Sequence, residues 1–242
     1  MYIDDRGVVL QCVKYDDKSF IAHLFTFSHG HVSFIVNNSR SKRSAGASRL
    51  FQPLSFLSFQ WDSKPNTSLY RMKEVRLLFF LQDIPCNPIK RGVAMMLSEF
   101  MAHMLRNEAK NSDLYMYIEK SVCWFDAVGD GYANFHLVFL LKLLRFLGIA
   151  PNLESYQEGR LFDLSLGSFV FGGIPSELVM DSADACLLYR LANANYESMN
   201  SVAMHRFERT RMLKYVANYC AQHIPKFPVI QSLDILIGIF DD

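Results

Sequence analysis

The chain has 242 residues and half of them are apolar, which suits one large folded domain or two small ones and excludes a disordered protein. The formal net charge is only +1, so the total charge does not indicate nucleic acid or an anionic membrane as a partner. The charge is unevenly distributed, however. Residues 1–80 contain eleven Lys and Arg against six Asp and Glu, whereas residues 81–242 contain fourteen against eighteen. We therefore expect an anionic partner for the first part, with a solvated basic face as the alternative.

The cysteines and the hydropathy pattern indicate a cytoplasmic protein. The five cysteines are far apart and form no C-x-x-C pair, which predicts reduced thiols in the core; they are Cys12, Cys86, Cys123, Cys186 and Cys220. No secretory signal pattern opens the chain. The most apolar stretch, FHLVFLLKLLRFLGIA, contains two cations and is shorter than the roughly 20 apolar residues that span a bilayer.

Residues 1–80 have the alternating pattern of β-strands. GVVLQCVKY, SFIAHLFTF and HVSFIVNN are the first three predicted strands, with a turn at Ser28–Gly30. LFQPLSFLSFQW and SLYRMKEVRLLFF follow, separated by the turn-rich DSKPNT, and a phase slip in the former predicts a β-bulge near Phe56. Five strands in about 80 residues predict a closed OB-fold barrel rather than a seven-stranded sandwich.

After Pro85 and Pro88 the apolar period changes to that of helices. Apolar residues from Val93 to Leu105 lie on one helical face, and we predict further helices at 112–127, 132–147, 177–194, 204–223 and 228–240. A strand-like segment with glycines, about 152–175, predicts a small β-like excursion. The predicted fold is therefore α+β, with an OB-fold domain over 1–80 and a helical domain over 81–242.

The sequence contains no motif of an enzyme site. Ser39 and Lys42 formally match S-x-x-K, but the accompanying S-D-N and K-T-G elements do not occur. The phosphate-binding, nucleophile-elbow, zinc-protease and dinucleotide motifs are absent as well. His29 and His31 have the spacing of a metal pair, yet without a neighbouring thiol or carboxylate a solvated turn is favoured. We expect no enzymatic activity, no metal and no cofactor.

The segment NNSRSKRSAGASRLFQP connects two predicted strands and is strongly basic. OB barrels bind single strands with cations for the phosphates and aromatic rings for the bases. The predicted phosphate contacts are the cations of this segment and those of the last strand: Arg40, Lys42, Arg43, Arg49, Arg71, Lys73 and Arg76. Candidate stacking rings are Phe25, Phe27 and Tyr70, with a place in the barrel core as the alternative for each.

A second group of cations belongs to the helical part. Arg206 and Arg209 open a predicted helix whose Phe207, Leu213, Val216 and Cys220 are expected to face inward. Lys142 and Arg145 interrupt an otherwise apolar helix. A solvated face is one interpretation, and a docking groove for an acidic peptide with an apolar end is the other.

The order of these features resembles the bacterial recombinational-repair mediator family RecO over nearly the whole chain. GVVL, LFTFSHGHVSFIVNNSRSKRS and LFQPLSFLSF resemble the family's N-terminal motifs, and RMLKYVANYCAQHIPKFPVIQSLDILIGIF is similar to the tail of the Bacteroides-like form. Many members have C-x-x-C pairs after the central helix. Here Gly148 to Pro151 is followed by NLESYQEGRLFDLSLGSF, without cysteine, so no zinc site is carried over.

The resemblance implies a non-enzymatic, nucleoid-associated mediator that binds single- and double-stranded DNA and anneals complementary strands. It also implies that the protein joins RecR and helps RecA to replace the single-stranded-DNA-binding protein, whose acidic, apolar tail docks on the helical domain. Carried over by position, the DNA contacts are Arg40, Lys42, Arg43 and Arg49. The tail pocket is not carried over by position, and its candidates Lys142, Arg145, Arg206 and Arg209 come from the charge pattern of the helices. Two alternatives are a protein-interaction adaptor that does not bind DNA directly, and an RNA-binding protein of the cold-shock type.

Overall fold

A computed structural model describes residues 2–37, 47–62, 69–172 and 176–241. The predicted DNA contacts Arg40, Lys42 and Arg43 lie outside the described residues. The chain divides into two compact units, Met1–Ala127 and Val128–Asp242, so the first unit contains helices that follow the strands as well as the strands themselves. The change from strand to helix periodicity set the predicted limit at residue 80, and the domain limits 1–80 and 81–242 stay a prediction.

Five strands of the first unit form a closed barrel in the order β1-β2-β3-β5-β4, and β4 pairs back to β1. Only β3 and β5 are parallel among these pairs, as their described residues show. The predicted OB-fold barrel is confirmed. Its elements are β1 (Tyr2–Lys14), β2 (Ser19–Thr26), β3 (Gly30–Asn37), the short helix α1 (Ala47–Leu50), β4 (Phe56–Asp62) and β5 (Tyr70–Leu77).

Alternate residues of the five strands fill the barrel interior with large apolar side chains. The Phe34 ring lies edge-to-face against Phe59 and Trp61, at centroid distances of 5.2 and 5.4 Å. Edge-to-face packing brings the positive ring edge to the negative face of its neighbour and adds to the hydrophobic stabilisation. The aromatic residues of β3 and β4 therefore form the centre of this core.

The predicted β-bulge near Phe56 is confirmed. The β1–β4 ladder is regular up to the pair Val8–Phe56, but beyond it Val9 faces two residues: it donates its N–H to the Ser55 carbonyl and accepts the Leu54 N–H. Leu54 has φ 62°, in the left-handed region that an extra residue of a bulge adopts. Phe56 is buried on the outer side of the barrel, where its ring stacks on Phe79 at 5.0 Å and contacts Tyr115. The apolar phase slips because this end of β4 is covered on both faces.

Two helices complete the first unit: α2 (Pro88–Met104) and α3 (Ser112–Ala127). The Asn87 side chain caps α2 by accepting hydrogen bonds from the backbone N–H groups of Ile89 and Lys90, and Pro88 occupies the first turn. Ser98 Oγ donates to the Leu10 carbonyl at 2.6 Å, which joins α2 to β1. Both helices were predicted from the apolar periodicity of the sequence, and both predictions are confirmed.

The second unit is mainly helical, as predicted, and its helices are α4 (Phe135–Phe146), α5 (Ser182–Asn193), α6 (Arg206–His223) and α7 (Ser232–Asp241). The β-like excursion is a small sheet in the order β7-β6-β8, formed by β6 (Leu161–Asp163), β7 (Ser168–Val170) and β8 (Val179–Met180). Because β8 is part of it, α5 begins later than the predicted residue 177. None of the helices in the described part of the chain is long and apolar enough to cross a membrane.

The cysteines only partly match the expectation of core thiols. Cys220 is buried, and burial raises the pKa of its thiol to about 12. Cys123 and Cys186 are half-buried, whereas Cys12 and Cys86 are exposed. The prediction was wrong for these two because Cys12 lies near the exposed end of β1 and Cys86 lies in the turn before α2.

Candidate nucleic-acid interface

The β5 strand contains a bulge that decides which way its side chains point. Gln60 of β4 pairs with Lys73, but Ser58 pairs with Arg76, so a step of two residues on β4 faces a step of three on β5. Within this step Glu74 has φ 52°, in the left-handed region. An extra residue in the left-handed conformation is the geometry of a β-bulge.

The bulge brings three cations to one face of the barrel. Before it, Arg71 and Lys73 point outward; after it, Arg76 points outward too, and all three are exposed. The apolar residues of β5 pack against the barrel core on both sides of the bulge: Tyr70, Met72, Val75 and Leu77. In a regular strand Arg76 would face the side opposite to Lys73, because side chains alternate. The predicted basic strand is therefore one continuous face; we call Arg71, Lys73 and Arg76 the β5 face.

Two cations of the β5 face, Lys73 and Arg76, interact only weakly with their neighbours. Lys73 Nζ lies 4.0 Å from the centroid of the Tyr2 ring, and Tyr2 is itself half exposed. The Arg76 guanidinium is 4.0 Å from the Glu74 carboxylate, and both side chains are largely exposed. Exposed pairs of these kinds contribute about 1 kcal/mol or less. Both cations can therefore exchange these partners for a phosphate.

Arg49 lies on a different element from the β5 face. It belongs to the last turn of α1, is exposed, and lines a groove together with residues that follow β5 and residues of α2. The structure thus brings Arg71, Lys73 and Arg76 together and places Arg49 beside an apolar surface.

The candidate stacking rings are engaged in packing. Phe25 is fully buried, so the alternative of a core position is confirmed for it. The Phe27 ring lies under the Arg6 guanidinium at 4.5 Å and contacts Tyr115. The Tyr70 ring meets Trp61 edge-to-face, at 4.7 Å. Phe25 is therefore excluded as a stacking platform in this fold, and the other two rings are half-buried.

Two histidines form a pair on the outer side of β2 and β3. The imidazoles of His23 and His31 stack at 5.5 Å, and His23 Nδ1 is 2.8 Å from Ser33 Oγ. Burial and the charge of Arg106 lower the pKa of both, that of His31 to about 4. Both are therefore neutral at neutral pH. No sequence pattern predicts this pair, because its two histidines belong to different strands.

The His29 side chain faces a different neighbour from His31. Its Nδ1 lies 3.3 Å from Asp5 Oδ2, and its ring contacts Trp61 at 4.9 Å. Among the described residues, no group of three or more His, Cys, Asp and Glu has the geometry of a metal site.

In the second unit, Lys142 and Arg145 differ in exposure. Lys142 is half-buried with its Nζ 5.0 Å from the centroid of the Tyr196 ring, and burial together with Arg145 lowers its pKa. Arg145 is exposed near the end of α4. Arg145 is therefore the more accessible of the two cations.

The other two candidates lie in the first turn of α6. The Arg206 guanidinium lies 5.2 Å from the Phe207 ring, and Arg209 Nη1 donates to the Met204 carbonyl at 2.6 Å. Partial burial lowers the pKa of Arg209. None of these four cations lines the groove that residues of α6 and α7 form.

Phe207 was expected to face inward, which is wrong: 73% of it is exposed. Leu213, Val216 and Cys220 are buried as predicted. At 100° per residue, Phe207 lies about 120° from Leu213 around the helix, outside the buried stripe.

Comparison with known proteins shows the family. The model for the N-terminal part of recombination protein O matches residues 1–80, and the model for its C-terminal part matches residues 87–230. The chain belongs to the RecO family of DNA repair proteins. The family takes part in recombinational repair.

Individual RecO proteins resemble the chain over its full length. The DNA repair protein RecO of Bacteroides fragilis is 40% identical over 237 residues, covering 97% of this chain and 98% of the relative. That of Phocaeicola vulgatus is 40% identical over 234 residues and covers 97% of each chain. That of Flavobacterium psychrophilum is 31% identical over 242 residues, covering 99% of this chain and all of the relative.

Proposed function

We propose that this RecO-family chain is a mediator that binds single- and double-stranded DNA through its barrel and anneals complementary strands. The observation that carries the proposal is the β5 face, where three exposed cations lie on one side of an OB-fold barrel. Spaced cations on a barrel suit the phosphates of a nucleic-acid backbone and carry no base information. The segment with Arg40, Lys42, Arg43 and Arg49 adds further cations to the same unit.

The proposed mediator works with other proteins of recombinational repair. It joins RecR and helps to load RecA, indirectly, onto DNA coated by the single-stranded-DNA-binding protein. The acidic tail of that protein docks at Lys142, Arg145, Arg206 and Arg209, whose cations match its charge. No covalent step and no cofactor are part of this proposal, and its setting is the cytoplasm, at the nucleoid.

A salt titration of DNA binding tests the proposal. Fluorescence anisotropy of a labelled single-stranded oligomer is measured at three salt concentrations, for the wild type and for a variant with Arg40, Lys42 and Arg43 changed to Ala. The logarithm of the affinity should fall with the logarithm of the salt concentration by about 0.7 per phosphate contact, and the variant should bind more weakly with a smaller slope.

The matched control is Lys120→Ala, which removes an exposed cation from α3 and should leave the slope unchanged. Binding without salt dependence, or no binding at low salt, contradicts the proposal. An oligomer of RNA with the same length should not bind more tightly than DNA, because a preference for RNA would favour the cold-shock interpretation.

A protein-interaction adaptor is the second candidate, and the exposed apolar groove beside Arg49 favours it. The two functions differ in what survives nuclease treatment. The adaptor would be identified by two results together. The tagged chain would still capture its partners after nuclease treatment, and it would not bind DNA in the anisotropy assay.

A further inference from the structure

A groove of about 560 Å³ lies in the first unit between α1, the segment after β5 and α2. Its lining is mostly apolar, and the charged side chains among the described lining residues are those of two arginines, Arg49 and Arg91. The apolar wall includes Phe79, Phe80, Leu81, Ile84 and Met95. The groove thus offers a ligand an apolar surface with two cations, and it is separate from the barrel interior, which side chains already fill.

Large apolar side chains are exposed at this groove. Phe80 is 78% exposed and Met95 is 43% exposed. Leu78 and Ile89, close to them in the chain, are also among the exposed large apolar residues. Exposed apolar side chains that line one groove, as Phe80 and Met95 do, mark an interaction site, whereas scattered single residues do not.

Hydrogen bonds and an ion pair hold one wall of the groove in place. The Asp126 carboxylate accepts hydrogen bonds from the backbone N–H groups of Gln82, Asp83 and Ile84, at 2.7, 2.9 and 2.8 Å. Lys90, which is fully buried, places its Nζ 2.7 Å from Asp83 Oδ2 and donates to the Asp126 carbonyl at 3.1 Å. The segment that carries Leu81 and Ile84 is therefore preformed, which reduces the entropy lost when a ligand binds.

We propose that this groove docks a short peptide segment of a partner protein in which bulky apolar side chains adjoin carboxylates. The apolar side chains would cover Phe80 and Met95, and the carboxylates would accept hydrogen bonds from Arg49 and Arg91. Guanidinium groups bind carboxylates with strong, charge-assisted hydrogen bonds. The charged side chains in the described lining are all positive, which favours an acidic peptide. The apolar wall does not suit a polar sugar-phosphate backbone.

This site goes beyond the proposed function. It lies in the first unit, whereas the tail-docking candidates Lys142, Arg145, Arg206 and Arg209 lie in the second. Arg49, which the sequence suggests as a DNA contact, becomes a residue of the peptide site. A variant without a change in charge, such as Phe80→Ser, distinguishes the peptide site from the DNA interface, because it should weaken peptide binding and leave DNA affinity unchanged.

Peptide binding to the full chain tests the proposal. The probe is a fluorescein-labelled peptide of glutamates followed by leucine and phenylalanine, and anisotropy reports its binding. Arg91→Ala and Phe80→Ser should each weaken binding about tenfold, by loss of a charge-assisted contact and of apolar contact area respectively. Both residues are exposed, so folding should be retained. A peptide with lysines in place of the glutamates should bind at least about tenfold more weakly.

Arg106→Ala is the matched control, because it removes an equally exposed arginine of the same unit outside the groove. It should leave peptide affinity unchanged. The proposal is overturned if the wild type does not bind the peptide, if the lysine peptide binds equally well, or if only Arg145→Ala and Arg206→Ala weaken binding. Phe80→Ser should keep wild-type DNA affinity, so failure of the groove and failure of the DNA-binding proposal are distinguishable.

Discussion

Lys73 and Arg76 point to the same side of β5 although three positions separate them, since Glu74 between them adopts a left-handed conformation. A regular strand would send one of the two side chains into the barrel. The bulge therefore has two structural consequences. It returns Val75 and Leu77 to the core, and it adds Arg76 to the cations of the β5 face.

Changing Arg71, Lys73 and Arg76 together to Ala should weaken the binding of single-stranded DNA. If each cation neutralises one phosphate, the slope of log affinity against log salt concentration should decrease by about 2. The loss should be similar for oligomers of different sequence, because phosphate contacts do not distinguish bases. Anisotropy titrations at three salt concentrations measure both effects, beside Lys120→Ala. An unchanged slope in the triple variant would remove the β5 face from the interface.

Substitutions of Glu74 should show the cost of its backbone conformation. Glycine adopts positive φ without steric penalty, so Glu74→Gly should be as stable as the wild type or more stable by about 1 kcal/mol. Valine is branched at Cβ and strongly disfavours this region, so Glu74→Val should be less stable by about 1–2 kcal/mol. Urea denaturation gives both free energies of unfolding. Equal stability of the two variants would mean that residue 74 does not hold the left-handed conformation in solution.

Periodicity was sufficient to predict the barrel strands and the six longer helices of the described residues, α2 to α7, because each of these elements buries one face or, as in α4, nearly all of its surface. It failed where an apolar side chain does not belong to the buried face. Phe207 is apolar but lies off the buried stripe of α6, so its side chain is exposed.

The candidate sites show the same limit. Arg71 and Lys73 follow from simple alternation, whereas the position of Arg76 depends on a bulge that an acidic residue forms in place of the usual glycine or asparagine. The groove could not be predicted, because Arg49 and Arg91 are distant in the chain and meet only once the barrel is closed and α2 has packed on it.

Gly30→Ala should destabilise the first unit strongly. Gly30 has φ 72° at the start of β3, where the turn from β2 ends, and an added Cβ would overlap the Glu108 carbonyl oxygen and the Ala109 backbone. The next residue, His31, donates its backbone N–H to the same Glu108 carbonyl at 3.0 Å, so the turn cannot move away without losing that bond. We expect a loss of about 2–4 kcal/mol in the free energy of unfolding.

Gly129→Ala is the control for this substitution. Nothing lies within 4 Å of the Cβ that would be added at Gly129, and its φ is not in the left-handed region. Its effect should stay within about 0.5 kcal/mol. Similar denaturation midpoints for the two alanine variants would contradict the close approach of the turn to residues 108–109.

His136 should make the stability of the protein depend on pH. It is fully buried in α4, and burial together with the charge of Arg209 lowers its pKa from 6.5 to about 3. Above pH 6.5 neither the folded nor the unfolded state binds a proton at this residue, so it contributes no pH dependence there. Below pH 6.5 the unfolded state is protonated while the folded state is not, and the free energy of unfolding decreases by about 1.4 kcal/mol per pH unit until about pH 3.

His31, whose pKa is lowered to about 4, acts in the same direction, so a variant is needed to isolate His136. His136→Gln retains a polar side chain of similar reach but does not titrate. Its stability at pH 7 should be lower than that of the wild type, yet its decline from pH 6.5 to 5 should be smaller by about 2 kcal/mol. Urea denaturation at several pH values measures the two curves. Parallel curves for wild type and variant would show that His136 is protonated in the folded protein as readily as in the unfolded chain.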